Sequence, residues 1–196
     1  MKTKLNTLSL AFLLAAGMTT AHAAYIESGD ASNDLASAQL ATDMQIQGTI
    51  DQGDTGDVYR LVFATGGLLT INATGQIDTN IALFDAGFQA LAGNDDSNSL
   101  DSMLTYVIGA GTYYIGIGDY AMYAISASNQ AWFMDGLPPA GFGTVSRIEN
   151  LISIDPGAYT LTLSLQPRSN GVPEPATLGL LGLGLLGMGM MRRKRA

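Results

Sequence analysis

The sequence predicts an all-β fold of sandwich or barrel type, and three observations carry that prediction. Short apolar runs recur at regular spacing, punctuated by Gly, Asn, Asp and Ser, which is how strands joined by turns read along a chain. Over 159–165 the pattern alternates strictly, with Tyr159, Leu161, Leu163 and Leu165 set against Thr160, Thr162 and Ser164. A period of two with one apolar and one hydroxyl-bearing side describes a strand resting one face on a core. The middle of the chain also lacks an amphipathic helical run of ten or more residues, except 32–42, which Ser32 or Asn33 could cap and which also reads as a loop.

Taken in order, strands are expected at 44–50, 58–64, 68–73, 80–85, 89–92, 103–108, 113–118 and 159–165. Two of these echo each other. "GAGTYYIGIGD" places Tyr113, Ile115 and Ile117 after Gly111, and "DPGAYTLTLS" places Tyr159, Leu161 and Leu163 after Gly157. Each is a glycine turn leading into a strand whose first inward side chain is a Tyr, with the ring buried and the hydroxyl at the rim. The two segments are expected to hold equivalent structural positions. Residues 120–157 break the rhythm and read as a long loop insertion, of the kind that is usually functional or disordered. Its "SNQAWFMDGLPPAGFGTVS" carries the only Trp, Trp132, beside Phe133 and the Pro138-Pro139 pair. Two uses stand open: Trp132 and Tyr120 could contact a glycan, or Trp132 and Phe133 could fold back and cap the open end of the core.

Both ends read as targeting segments. Lys2 and Lys4 precede an apolar stretch at 8–16 and then Ala21-His22-Ala23, the layout of a secretory signal peptide over 1–23. Cleavage is expected around Ala21, Ala23 and Ala24. At the other end, "VPEPATLGLLGLGLLGMGMMRRKRA" runs from 172 to 196, with sixteen uncharged residues at 176–191. As a helix those residues would reach about 24 Å, short of a hydrocarbon core of about 30 Å. The span becomes workable if Arg192, Arg193, Lys194 and Arg195 snorkel to the interface. These bases belong on the cytoplasmic side, which puts the domain across the inner membrane and agrees with the signal. The full picture is an all-β domain flanked by an N-terminal signal helix and a C-terminal hydrophobic helix, with a linker at 166–172.

With the ends set aside, residues 24–171 hold only Arg60, Arg147 and Arg168 against fourteen Asp and two Glu, a net charge of −13 where the whole chain has −8. This part contains no Lys, Cys or His. That excludes ordinary Zn, Cu and haem sites, Ser-His-Asp and Cys-His nucleophile systems, and a lysine Schiff base. Nucleic acid is excluded as a partner, because counterion release needs clustered Lys and Arg. The lack of Cys describes an exported domain not stapled by disulfides, and about 148 residues suffice to bury a core without them.

The acids concentrate in turns. Asp78, Asp85, Asn94, Asp95, Asp96 and Asp101 fall within 24 residues. If 80–85 and 89–92 pair as a hairpin, Asp78 meets Asn94, Asp95 and Asp96 at one end of the sheet. Ca²⁺ takes six to eight oxygens from such groups, so these four are candidate Ca²⁺ ligands and Ca²⁺ a candidate cofactor. The alternative is that Asn-Asp-Asp-Ser is simply a turn bonded to its own backbone. No EF-hand spacing is present. A carboxylate-only hydrolase would need one acid raised and its partner lowered in pKa, and no motif here provides that contrast.

The ordered motifs over 48–119 carry a resemblance. "GTIDQGDTGDVYRLVFATGGLLTINATG", "DTNIALFDAGFQALAGNDDS" and "GAGTYYIGIGD" together look like the bacterial pre-peptidase C-terminal domain, with the similarity extending over about 45–165 of an exported domain at 24–165. That resemblance implies a β-sandwich of jelly-roll type and an accessory, non-catalytic role. The insertion at 120–157 departs from the compact form of that family. The tail is similar to the PEP-CTERM sorting signal of Gram-negative bacteria, over 173–196, with Pro173, Glu174 and Pro175 as its motif. That similarity implies processing by an exosortase-type enzyme, transient anchoring in the inner membrane, and delivery to the surface or an exopolysaccharide matrix. The expectation is a non-enzymatic surface or biofilm-matrix protein. The alternative is a carbohydrate- or Ca²⁺-binding accessory module, with an Asp-based hydrolase or an ice-binding protein behind it. No regular Thr-x-Thr array along the chain marks an ice face.

Overall fold

The computed structural model describes residues 23–97, 99–151 and 156–168. The signal segment up to residue 22, the sorting motif Pro173-Glu174-Pro175, the helix expected at 176–191 and the basic cluster Arg192–Arg195 lie outside the described residues.

Two five-stranded sheets form a sandwich. The first runs in the order β1 (Tyr25–Ile26), β3 (Gln45–Ile50), β13 (Gly157–Pro167), β5 (Gly67–Gly75) and β8 (Met103–Ile108). The second runs β2 (Gln39–Leu40), β4 (Asp57–Phe63), β9 (Gly111–Asp119), β6 (Thr79–Asp85) and β7 (Ala90–Asn94). Ile46, Ile71, Leu161 and Leu163 of the first sheet belong to one buried core with Leu61, Leu83, Ile115 and Ile117 of the second. Each such side chain contributes about 1.5–3 kcal/mol by leaving water. All eight expected strands are present. The two echoed segments, β9 and β13, are the central strands of the two sheets.

The segment expected to be a loop insertion at 120–157 is instead largely a third layer. β10 (Met122–Ser126), β11 (Ala131–Phe133) and β12 (Val145–Asn150) form a three-stranded antiparallel sheet in the order β11-β10-β12. Its Met122, Ala124, Trp132 and Ile148 join Val58, Ala82 and Phe84 of the second sheet in a second buried core. The second sheet is therefore covered on both sides, and every residue of β6 from Thr79 to Phe84 is buried. Small residues make the approach possible. A Cβ at Gly116 would press on Ile148 and Phe84, and one at Gly118 would overlap the Met122 side chain.

The 32–42 segment is not a helix of any length. It contains a single 3₁₀ turn at Leu35–Ser37, capped by the Asp34 side chain, which accepts from the Ala36 N–H at 2.8 Å. The N-terminal segment straps the layers instead: β1 lies parallel to β3 on one sheet, β2 parallel to β4 on the other, and Leu35 is buried in the second core.

The third layer is also pinned by backbone at Gly93 and Gly136, which exchange N–H···O bonds of 2.8 and 2.9 Å. A Cβ at Gly93 would overlap the Met134 carbonyl. Gly93→Ala is expected to cost about 1–3 kcal/mol in urea denaturation, as overpacking against backbone does. Gly87→Ala, whose added Cβ meets only the Asp85 side chain at an ordinary 3.4 Å, should stay within about 0.5 kcal/mol of wild type.

Candidate functional site

The most unusual chemistry sits where the N-terminal strap meets the turn before β4. Glu27 follows β1, Asp30 occupies the next turn, Asp54 lies in the β3–β4 turn and Asp57 opens β4. One carboxylate oxygen each from Glu27, Asp30 and Asp57 lie within 4.8 Å of one another. Glu27 is fixed by accepting the Ala31 N–H at 2.6 Å and the Thr49 N–H at 2.9 Å. Asp57 is 0% exposed. Its Oδ2 accepts the Tyr159 hydroxyl at 2.5 Å, and that hydroxyl sits 2.7 Å from the Tyr59 hydroxyl. Asp57 Oδ1 is buried without a hydrogen-bond partner, and so is Asp54 Oδ2.

The sheet register makes this arrangement possible. Tyr159 on β13 stands opposite Gly48 on β3 and Gly75 on β5. A Cβ at Gly48 would overlap the Tyr159 hydroxyl and come within 2.8 Å of Glu27 Oε2. The missing side chain lets the tyrosine and the glutamate converge. Beside them runs a polar groove of about 830 Å³, bordered by Glu27, Asp30, Gln47, Thr49 and Tyr159.

Burial pushes the Asp57 carboxyl up to about 9, against the lowering effect of the Tyr159 hydrogen bond, and the charges of Glu27, Asp54 and Asp30 add to the rise. Burial likewise raises Glu27 and Asp54. Both tyrosines are pushed up, first by burial and then by Asp57. Asp57 is buried, Glu27 half-buried and Asp30 exposed, and a buried carboxylate this close to two others favours either a proton or a cation. Oxygens on opposite sides of a Ca²⁺ ion lie about 4.6–5.2 Å apart, twice the Ca–O distance, so the observed spacing suits one shared ion.

The expected Ca²⁺ ligands are arranged differently. The β6–β7 hairpin does bring Asp78 to the end where Asn94, Asp95 and Asp96 lie. However, Asn94 is occupied: its Oδ1 accepts the Met103 N–H at 2.8 Å and its Nδ2 donates to the Asp96 carbonyl at 3.0 Å. Asp95 Oδ1 accepts from Asn80 Nδ2 at 3.1 Å. Ser102 Oγ lies within hydrogen-bonding reach of the carbonyls of Thr79 and Asp95, to either of which its one proton can be donated, locking the turn. Burial, followed by the charges of Asp96, Asp78 and Asp135, pushes Asp95 to about 6 once the opposing Asn80 bond is included. Among the described residues, these acids do not form a three-carboxylate cluster at ion-sharing distance; Glu27, Asp30 and Asp57 do.

The two expected glycan contacts are not brought together. Trp132 is 6% exposed and packs edge-on against Phe142 in the second core, centroids 6.1 Å apart, so it caps the outer side of the second sheet and offers no open ring face. Tyr120 is exposed and borders a shallow depression with Tyr123, Phe133 and Leu151. Of the expected cleavage residues, Ala23 and Ala24 lie in the described part, just before β1. The Glu27–Asp30–Asp57 cluster escaped the sequence reading because its members are up to 30 positions apart and no hairpin joins them.

Residues 171–195 match the PEP-CTERM protein-sorting motif. This motif is the recognition signal of exosortase, so the chain is exported, transiently anchored in the membrane and sorted by an exosortase-type enzyme. No curated protein matches the chain. Solved structures similar to it include the pre-peptidase C-terminal domain of a Bacillus anthracis collagenase, at 17% identity and TM-score 0.41, covering 65% of this chain and 94% of that one. Another is PliG of Aeromonas hydrophila, a periplasmic inhibitor of g-type lysozyme, at 15% identity and TM-score 0.35, covering 72% of this chain and 100% of that one. A third is CorA of Methylomicrobium album BG8, a surface-associated copper-binding protein, at 10% identity and TM-score 0.38, covering 74% of this chain and 100% of that one.

The raised carboxyls set a pH dependence. A group whose folded pKa lies above its unfolded value stabilises the fold at low pH and loses that contribution as pH rises through the folded value. For Asp57 that window runs from 3.8 to about 9, and Glu27 and Asp54 act with the same sign. In chelator, the melting temperature should fall between pH 5 and pH 8. Asp57→Asn should flatten that fall and raise the pH 8 value. Parallel wild-type and variant profiles would show that Asp57 is not the titrating group.

Proposed function

We propose that this is a non-enzymatic module of the cell surface or extracellular matrix, associated with exopolysaccharide, whose fold is completed by Ca²⁺ held at Glu27, Asp30 and Asp57. The observation that carries the cation is the buried Asp57 oxygen without a partner, set among carboxylates at ion-sharing spacing. Hard oxygen ligands of this kind suit Ca²⁺. A divalent ion would supply the charge that the three arginines of the exported part do not.

The non-catalytic reading rests on what the exported part lacks and on how its acids are tuned. Residues 24–171 hold no Lys, Cys or His. Glu27, Asp54 and Asp57 are all displaced in one direction, upward, whereas an acid–base pair needs values pushed apart. The surface destination rests on the sorting motif at 171–195.

Two measurements test this. A ligand at 100 times its dissociation constant stabilises by about 2.7 kcal/mol, which for a domain of this size is a rise of roughly 5–10 °C. The purified protein should show that rise in Ca²⁺ over EGTA, and Asp57→Asn should abolish it; equal midpoints would remove the cation. Separately, intact mass of the protein recovered from the cell surface or medium should correspond to a chain ending near residues 172–176. Full-length protein confined to the inner membrane would exclude sorting and release.

A further inference from the structure

We infer that the outer face of the first sheet is a docking surface for an uncharged polysaccharide chain. The inference rests on the matrix reading above and gives it a site and a sugar class.

The strands β3, β13, β5 and β8 contain no Asp, Glu, Lys or Arg, in a domain whose net charge is −13. Their outward positions carry hydroxyls and amides in register. Gln47, Thr160 and Thr74 align in one row, and Gln45, Thr162 and Asn72 in the next. Ser164, Thr70 and Thr105 continue the grid across β13, β5 and β8. Rows of this kind repeat about every 4.7–4.9 Å across strands and about every 6.6–6.8 Å along them. Among the described residues, none of these side chains is tied up in a hydrogen bond with the rest of the fold. Each hydroxyl or amide can therefore both donate and accept outward.

Pure strand economy does not require this composition. The solvent side of a sheet tolerates charge, and Lys or Glu there would serve solubility. An uncharged grid instead matches a polymer that is itself uncharged and presents many hydroxyls. At the β8 edge the grid grades into Leu68, Met103 and Val107, which are 38%, 44% and 46% exposed. Pyranose rings have this same double character, with a hydroxyl rim and an apolar C–H face. An acidic polymer is disfavoured by repulsion from the surrounding −13. A second copy of the chain is disfavoured because stable homodimer interfaces have apolar, aromatic cores, while here the apolar residues sit at one edge. The groove beside Glu27 and Asp30 borders the same face through Gln47, Thr49 and Thr160, extending the track available to a long chain.

Affinity electrophoresis of the purified protein in gels containing hydroxyethylcellulose, with alginate as the acidic control, tests this. Wild type should be retarded by the neutral glucan and not by alginate, in EGTA as in Ca²⁺. Thr162→Glu and Thr162→Lys place either charge at the exposed centre of the grid; both should weaken neutral-glucan binding at least tenfold while leaving the Ca²⁺-induced melting shift intact. Several results would overturn the inference. These are absence of retardation in wild type, unchanged binding in both variants, tighter alginate binding by Thr162→Lys, inhibition of ice recrystallisation in place of glucan binding, or a wild-type dimer dissociated by Thr162→Glu. Surface-released protein that binds no neutral glucan would leave the matrix reading standing and remove this inference alone.

Discussion

Much of the second sheet is buried on both faces, and the rest of the structure depends on that. A sheet in a two-layer sandwich needs one apolar side, but β4, β9 and β6 must serve two cores at once. The chain meets the demand by asymmetry. Ile115 and Ile117 fill the central core, while Gly116 and Gly118 on the opposite side leave room for Ile148 and Met122. Large side chains on both sides would hold the third layer away. The third layer in turn lets Trp132, Met134 and Phe142 be buried in a domain that has no disulfide to spare it that work.

The same geometry concentrates strain of an electrostatic kind at one edge. Asp57 begins β4, so it enters the sandwich with its strand and cannot reach open solvent. The Tyr159 hydroxyl, itself hydrogen-bonded to the Tyr59 hydroxyl, donates to one of its oxygens, and the other is left without a partner among the described residues. Replacing such a group by an apolar one would remove the desolvation cost. Its position beside Glu27 and Asp30 is intelligible if something positive occupies the space between them. Glu27 arrives there because β1 pairs with β3 and because Gly48 has no side chain. A single ion would therefore tie the N-terminal strap to both sheets.

How much of this could be read from the sequence follows from how local each signal is. The eight strands of the sandwich were legible because alternation and glycine turns are properties of consecutive residues. The echo of Gly-x-Tyr-x-aliphatic correctly paired β9 with β13, although Tyr113 stays half-buried against Phe63 while Tyr159 goes inside to meet Asp57. The third layer was not legible: β11 has three residues, and its connections are rich in Gly and Pro. Its partner signal, the small residues on one side of β9, gains meaning only once the layers are known. The acidic hairpin end was foreseen because Asp78 and Asp95 are close in sequence. What Asn94 does there is decided by the Met103 N–H, a contact that composition cannot reveal.

Charge is distributed by layer. The two strands that flank β13, and β13 itself, contain no Asp, Glu, Lys or Arg, while acids gather in the turns at the sheet ends. A strongly acidic protein repels its own copies and most anionic neighbours over about a Debye length of 8 Å at physiological ionic strength. The uncharged face is a direction from which the proposed neutral, hydrated polymer could approach to contact without displacing counterions. Sorting by the tail and the neutrality of that face then act at different ranges. On the proposed reading, the tail would set the compartment in which the domain is released, and the face would select, within that compartment, partners that bring hydroxyls and not charge.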